Sequence, residues 1–459
     1  MNIGDSFQHQ KWGRGVVLDV LLKGNKVVAK VRYGFATDTT PIEEIPDGES
    51  LRLLSPRTSN VRLADHKSAH DVKDGSPPLL MARRGIQALK LGQVLEEQVG
   101  TLSVGTREIE SQFSEAFDRA ARFKPQLVMI EGAWGVGKTH LLTLLTSMAA
   151  SRGFATASTI LDGWGATVSE PMRLMEGITS SIRFPGEYLP SGIGAKLGVV
   201  KRHGMPELRS FAGQRMVKLM EEIPEHALDD PEVILTLEDY MGLSLAATQA
   251  RARIRELGYG DRNLPALKAR SIDERAQRFQ DLLCDWTGFC VGAGAKGLLI
   301  VMDEVDVDYA RSLYWNAEWR SRHDATLKAI GLLKSHRLPI VIAFGSAPAG
   351  PDDDESVDSV RDVIRKIGHL DVRVEAATLS DENLIELGER IFTLYCSAYT
   401  GFATKLDQQG RKSVCKMLLK QYKRELSPVP RRFVRSLLHC FDLIDQGQST
   451  VEKLVQSVR

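Results

Sequence analysis

The sequence predicts an α/β protein whose main domain is a phosphate-loop fold on a parallel sheet. Three observations carry that prediction. Gly132-Ala133-Trp134-Gly135-Val136-Gly137-Lys138-Thr139 fits the pattern G-x-x-x-x-G-K-[ST] at every fixed position. The short apolar run Pro125–Ile130 precedes it and the leucine-rich stretch His140–Ala150 follows, so strand, glycine loop and helix come in that order. Far downstream, Gly297–Met302 is apolar throughout, as a strand covered on both faces is, and it ends in Asp303-Glu304.

The loop has a plain chemical logic. Gly132, Gly135 and Gly137 permit backbone angles that a side chain forbids. Backbone N–H groups from Gly132 through His140 would then converge on phosphates, helped by the positive end of the following helix. Lys138 supplies a point charge for the β and γ phosphates, and Thr139 offers a hydroxyl to Mg²⁺. The expected ligands are therefore ATP and Mg²⁺. An acidic pair at the carboxyl end of a buried parallel strand sits where such sheets bind ligands. Asp303 would hold Mg²⁺ through water, and Glu304 would orient the attacking water as a base. Asp306 and Asp308 just beyond either support the site or are merely solvated.

Composition narrows the class. A chain of 459 residues holds about two to four domains. Apolar content of 43% and charged content of 26% are ordinary for a soluble globular protein. A net charge of +1 excludes a global polyanion-binding signature. Cys284, Cys290, Cys396, Cys415 and Cys440 form no C-x-x-C pair and no zinc spacing, so reduced core thiols are expected. The start, Met1-Asn-Ile-Gly-Asp5, lacks the charged and apolar regions of a signal peptide. No apolar run approaches the ~18 residues of a membrane span. A cytoplasmic location without membrane contact is the expectation.

Along the chain, residues 1–54 read as a small β domain. Val16–Leu22 and Lys26–Tyr33 flank a Lys-Gly-Asn turn, which is a hairpin signal. Phe7–Val17 with Val31–Phe35 resembles the small tudor/SH3-like barrels at the C-terminus of UvrD-type helicases. Residues 1–60 carry 8 Lys and Arg against 7 Asp and Glu, so this domain is no bulk phosphate binder. It is either a docking module for a partner or a plain folded appendage. Residues 55–80 are polar and read as a linker. The core is expected over 81–378, interrupted at about 184–270 by charged helical segments broken by Pro and Gly. That insertion contacts a partner or DNA, or is a solvated cap.

Ala82–Leu91 and Val104–Glu110 form a helical lead-in to the first core strand. A short Val-Gly-x-Arg-Glu element in that position is where many AAA+-type ATPases hold adenine, which points to Gly105 and Arg107; without that family context it is only a turn and a helix start. Arg83–Gly92, Val104–Glu108, Glu131–Leu142 and Arg152–Phe154 together resemble the BREX-system ATP-binding family, the BrxC/BrxD-like proteins of bacterial phage defence. The resemblance runs from about Met81 to the C-terminus and leaves the N-terminal domain outside it. It implies an AAA+-like (ASCE) P-loop core, ATP hydrolysis, an oligomer, and work on DNA with other defence-system proteins.

The strand Leu338–Gly345 ends at Ser346, where AAA+-like ATPases carry a polar sensor of the γ phosphate, more often Asn or Thr. Arg361 or Arg365 would reach a neighbouring subunit's nucleotide, or sit on an ordinary surface helix. Ser380 caps a helix that opens an all-helical lid over 379–459. Within it, residues 411–435 hold 9 Lys and Arg and one acid, Glu425, the only local polyanion footprint that the sequence shows. Pro430–Arg435 resembles the second sensor of AAA+ lids, with Arg431 or Arg432 on the γ phosphate. The rest meets DNA or water. Two further readings stand beside an ATPase: a slow nucleotide switch that recruits partners, and a helicase-like motor or loader. The base at Glu304 argues against a pure binder, and no helicase motif series accompanies the loop.

Overall fold

The computed structural model describes residues 6–9, 13–23, 26–33, 43–46, 52–55 and 78–457, except 134, 162–165, 188–192, 212, 267–268, 309–316, 348–358 and 425–429. The chain divides into two units, Met1–Gly75 and Ser76–Arg459.

The first unit is an antiparallel sheet of β1 (Ser6–His9), β2 (Gly13–Lys23), β3 (Lys26–Tyr33), β4 (Glu43–Pro46) and β5 (Arg52–Ser55) in the order β4-β3-β2-β1-β5. The β2–β3 ladder runs from Gly15↔Tyr33 to Lys23↔Lys26, the antiparallel pairing that the hairpin signal predicts, while Gly24 and Asn25 lie outside the described residues. Irregularities at Ser6/Phe7 and Val17/Asp19 bend the ladder, as bulges do. Among the described residues β4 and β5 are the edges, and no pairing joins them into a closed barrel. The expected linker lies mostly outside the described residues.

The second unit is built on a parallel sheet of β6 (Gln126–Glu131), β7 (Ala155–Ile160), β8 (Leu298–Asp303), β9 (Ile340–Ser346) and β10 (Val372–Glu375). Its order is β10-β6-β9-β8-β7. Every residue of β6, β8 and β9 is buried. The alternation of side chains explains why these strands read as continuous apolar runs. Leu127, Met129, Ile300, Ile342 and Phe344 join one core with Leu282 and Phe289 of helix Ile272–Gly292 and Leu327 and Ile330 of helix Ala317–Leu332. Val128, Ile130, Leu299, Val341 and Ala343 join the other with Phe113 and Phe117 of helix Arg107–Ala120 and Leu141 and Leu145 of helix Lys138–Ser151.

The inserted region supplies helices Gly194–Val199, Met205–Phe211, Gln214–Glu222, Pro231–Met241 and Ala247–Glu256. Asp230 caps the Pro231 helix by accepting from the Glu232 N–H, and proline suits its first turn. All of this packs into the first core rather than standing apart from it: Leu197, Leu208, Leu219, Leu237 and Ile254 are buried there. A π turn at Val200–Gly204 sets Gly204 against helix Ile272–Gly292.

The C-terminal region is helical, with Asp381–Ala398, Gln408–Arg424, Pro430–Asp445 and Val451–Ser457 as its main members. Ser380 caps the first, its hydroxyl accepting from the Asn383 N–H. The lead-in helix Pro78–Lys90 joins this core and not the sheet. Ile86 and Leu89 are buried with Leu384, Ile391 and Leu438, Arg83 Nε donates to the Ala398 carbonyl at 3.0 Å, and Lys90 pairs with Asp442 at 2.7 Å.

A Cβ on Gly204 would lie 2.1 Å from the Gly292 carbonyl oxygen, and backbone cannot swing aside as a side chain can. Gly204→Ala is expected to lower unfolding free energy by about 1–3 kcal/mol, read by denaturant titration. An unchanged midpoint would mean the two helices are not held this closely.

Candidate functional site

The loop follows β6 directly. Glu131 ends the strand, and Gly132 is pinned by its N–H to the Ser346 carbonyl at 3.2 Å. A Cβ on Gly132 would meet the Ala376 carbonyl oxygen and Val136 Cγ2, both at 2.8 Å, so only glycine fits here. Gly135 and Gly137 have φ of 81° and 119°, the left-handed half of the map that the sequence reading required of them. Helix Lys138–Ser151 begins immediately, with Ala133, Gly135, Val136 and Gly137 leading into it. Trp134 lies outside the described residues.

Lys138 Nζ donates to the carbonyls of Gly132 at 2.8 Å and Ala133 at 3.2 Å, which folds the loop around its ammonium. Burial lowers its pKa, and Asp306, Asp303 and Glu304 oppose that shift. The negative charge of the segment at and after the end of β8 thus favours this cation. The sharpest contact is between the two expected metal-binding groups. Thr139 Oγ1 donates to Asp303 Oδ2 at 2.8 Å across 164 residues of sequence. The other oxygen, Asp303 Oδ1, accepts from the Glu304 N–H at 2.9 Å, so both oxygens of this buried carboxylate are oriented.

β9 lies between β6 and β8, and its end completes the site. Ser346 is fully buried beside Glu131, and its hydroxyl lies 3.4 Å from the Ala347 carbonyl. The residue before it was missed by motif reading. A Cβ on Gly345 would lie 2.4 Å from Asp303 Oδ1, so glycine is what lets the carboxylate stand there. Asp306, left open from sequence, accepts from the Ala347 N–H at 2.9 Å and so joins the ends of β8 and β9. Asp308 is fully buried and accepts from the Val168 N–H at 3.0 Å.

Glu304 holds an exposed side chain on a backbone with φ of 62°. A non-glycine residue in that region is uncommon, and such residues cluster at functional sites. On the other side of the loop, Arg373 of β10 clamps Glu131 with both Nε and Nη2, the latter at 2.9 Å. That pair ties β10 to the strand that carries the loop.

The remaining candidates fall elsewhere. His140 points away to the lead-in: its Nε2 lies 2.9 Å from Ser103 Oγ, which donates to the Val99 carbonyl. Burial pushes its pKa down to about 4, so the ring is neutral near pH 7. Gly105 has φ of 65°, and a Cβ there would meet Asn383 Nδ2 at 2.4 Å, so this turn abuts the C-terminal helices. Arg107 starts helix Arg107–Ala120 with an exposed side chain. Arg365 is exposed and bonded to Asp362 of its own helix, Ser359–Ile367; the Arg361 side chain lies outside the described residues. Arg431 lies against Gly92 of the lead-in turn, and Arg432 is exposed.

The basic stretch is partly committed to structure. Arg411 pairs with Glu389 at 2.8 Å and lies 4.2 Å from the Phe392 ring centre, Lys423 pairs with Asp381 at 2.6 Å, and Arg435 donates to the Leu91 carbonyl at 3.1 Å. Lys412, Lys416 and Lys420 are exposed at successive i, i+4 positions and so form one stripe. Among the described residues no cluster of three or more His, Cys, Asp or Glu could hold a metal ion, and no helix is long and apolar enough to cross a membrane.

Residues 81–164 match the family described as BREX system ATP-binding protein BrxC/D. The matched span holds the lead-in, the glycine loop and the helix after it. No curated protein matches the chain. Among solved structures, the chain is similar to one in the structure of the E. coli MS115-1 HORMA:CdnC:Trip13 complex. Identity there is 11% and the TM-score 0.38, over 79% of this chain and 90% of that one, a likeness too slight to bear on function.

The His140 shift has a definite sign. The unfolded residue takes up a proton near pH 6.5 and the folded one only near 4, so its contribution is complete above about pH 6.5 and is lost as pH falls toward 4. Between pH 7.5 and 5 the parent should lose about 2 kcal/mol more unfolding free energy than His140→Gln. Equal losses in the two proteins would contradict a half-buried imidazole held neutral.

Proposed function

We propose that the chain is a Mg²⁺-dependent ATPase of a bacterial anti-phage defence system, with an AAA+-like core that couples ATP binding and hydrolysis to assembly or action on DNA with partner proteins. The observation that carries this reading is the Thr139–Asp303 hydrogen bond, because it joins the loop pattern to the acidic strand end in one place. The strand order, with β9 between the loop strand and the acidic strand, also supports an AAA+-like core. The match to BREX ATP-binding proteins over residues 81–164 supports the defence role.

The donor set suits Mg²⁺. One hydroxyl and one carboxylate are far too few for an all-protein cage, but Mg²⁺ keeps several waters and takes phosphate oxygens as further ligands. When bound, the ion would neutralise charge on the phosphates. The protein's part is positioning. Loop N–H groups and Lys138 would hold the β and γ phosphates, Thr139 and Asp303 would orient the metal's ligand shell, and Glu304 would orient and accept a proton from the attacking water. Ser346, at the end of β9, would report the γ phosphate. Gly105 and Arg107 would flank adenine, and Arg361 or Arg365, and Arg431 or Arg432, would complete a neighbouring or a closed site in an oligomer.

The N-terminal sheet is read as a tudor/SH3-like docking module for defence-system partners. The lysine stripe at 412, 416 and 420 is the part of the basic stretch best disposed to meet DNA. A slow nucleotide switch remains the second reading, favoured by the loop carbonyls that hold Lys138.

Lys138→Ala should abolish ATP binding in a fluorescent-nucleotide titration. Glu304→Gln should bind ATP like the parent and turn it over about 10²-fold or more slowly. Parent-rate turnover by Glu304→Gln would remove Glu304 from the base role. Binding without turnover in the parent would favour the switch.

A further inference from the structure

A second feature lies at the opposite end of the sheet. A groove of about 640 Å³ opens where β6, β9 and β10 begin, lined by residues just ahead of each strand. The loop sits at the far end of β6, a strand of 6 residues, which is about 20 Å away. Five cations face the groove, Arg119, Arg122, Lys124, Lys334 and Arg337, against one carboxylate, Asp371. That carboxylate is already committed: it accepts from the Leu127 N–H at 2.8 Å and pairs with Lys334 at 2.8 Å. Arg119 pairs with Glu115, both about half exposed, an arrangement that holds little energy. Arg122, Lys124 and Arg337 are exposed, and none has a carboxylate partner among the described residues. In a chain with net charge +1, this concentration is local.

Two further details point to what the groove takes. Phe123 stands between Arg122 and Lys124 with φ of 61° and is 39% exposed. It occupies the left-handed position after helix Arg107–Ala120, where glycine is usual, and a bulky residue there is a marked outlier. Its ring lies 5.1 Å from that of Phe211, tilted by 31°. An aromatic ring is thus held at the surface among cations. Gln126 lines the groove and is 3% exposed; its Nε2 donates to the Lys124 and Pro125 carbonyls, while its buried Oε1 has no hydrogen-bond partner. That oxygen is an unsatisfied acceptor in the wall of the groove.

Cations that follow a backbone and an aromatic platform are what a single nucleic-acid strand uses. We propose that this groove binds one unpaired nucleic-acid strand, with its phosphates on Arg122, Lys124 and Arg337 and a base stacked on Phe123. This site is separate from the lysine stripe and does not depend on ATP being hydrolysed. Since β6 and β9 start at the groove and end at the loop, an occupied strand site would press on the same two strands that carry Gly132 and Ser346.

The test is fluorescence anisotropy of the full chain with a labelled single strand of about 12 nucleotides and with the matching duplex. The parent should prefer the single strand. Combining Arg122→Glu, Lys124→Glu and Arg337→Glu should weaken binding at least about 30-fold at about 50 mM salt. It should also flatten the slope of log affinity against log salt by about 2, as expected for losing three phosphate contacts. Phe123→Ala should weaken binding by about 5- to 100-fold and leave the salt slope unchanged. ATP binding by each variant serves as the check on folding. If charge reversal disturbs the fold, the three Gln substitutions should still cost about 10-fold. Parent-like affinity in the reversed variant would overturn the proposal. So would a preference for duplex, or loss of binding through Lys412→Glu, Lys416→Glu and Lys420→Glu instead.

Discussion

One hydrogen bond organises the candidate site, from Thr139 of the loop helix to Asp303 at the end of β8. Neither partner can be placed by local structure alone. Thr139 is fixed by a loop that needs Gly132 free of a Cβ and Gly135 and Gly137 in left-handed backbone. Asp303 is fixed by β8, which runs beside β9, and by Gly345, whose missing side chain leaves the carboxylate its space. The contact therefore depends on the sheet order β6-β9-β8 and on the two cores that hold those strands flat between helices.

The electrostatics follow from that arrangement. Lys138 is partly withdrawn from water, which works against its charge, and Asp306, Asp303 and Glu304 work for it. Phosphate bound in the loop would lie between this cation and those carboxylates, so a divalent ion beside Thr139 and Asp303 is the natural complement. Directly after Thr139, His140 is half-buried, neutral and bonded to Ser103, tying the loop helix to the lead-in. The lead-in continues into the C-terminal core, and Gly105 abuts Asn383. A path of direct packing thus runs from the loop helix to the C-terminal helices.

Much of this was legible in the sequence because it is written in local pattern. The loop, its flanking strand and helix, the apolar runs of β8 and β9 and the cap at Ser380 all announce themselves through spacing and residue type. What was not legible depends on which surfaces meet. Periodicity shows that Ala82–Leu91 has an apolar face but not that the face joins the C-terminal core through Ile86 and Leu89. The charged insertion read as a partner or DNA contact or a solvated cap, and its pattern did not show that Leu208 and Leu237 join the sheet's own core. Gly345 looked like one more strand residue, and the left-handed backbone of Glu304 has no sequence signal at all. A basic stretch is equally ambiguous: of residues 411–435, Arg411, Lys423 and Arg435 are engaged with neighbours, and only spatial placement separates them from the lysine stripe.

The central claim is that Thr139 and Asp303 act as one unit on a nucleotide-bound metal. A double-mutant cycle of Mg²⁺-dependent ATP affinity tests it most directly, using the parent, Thr139→Val, Asp303→Asn and the pair. Groups that share one metal shell are strongly non-additive, so each single change should cost nearly as much as both together, with a coupling of about 1–3 kcal/mol. Additive losses, or losses that persist unchanged without Mg²⁺, would contradict the account.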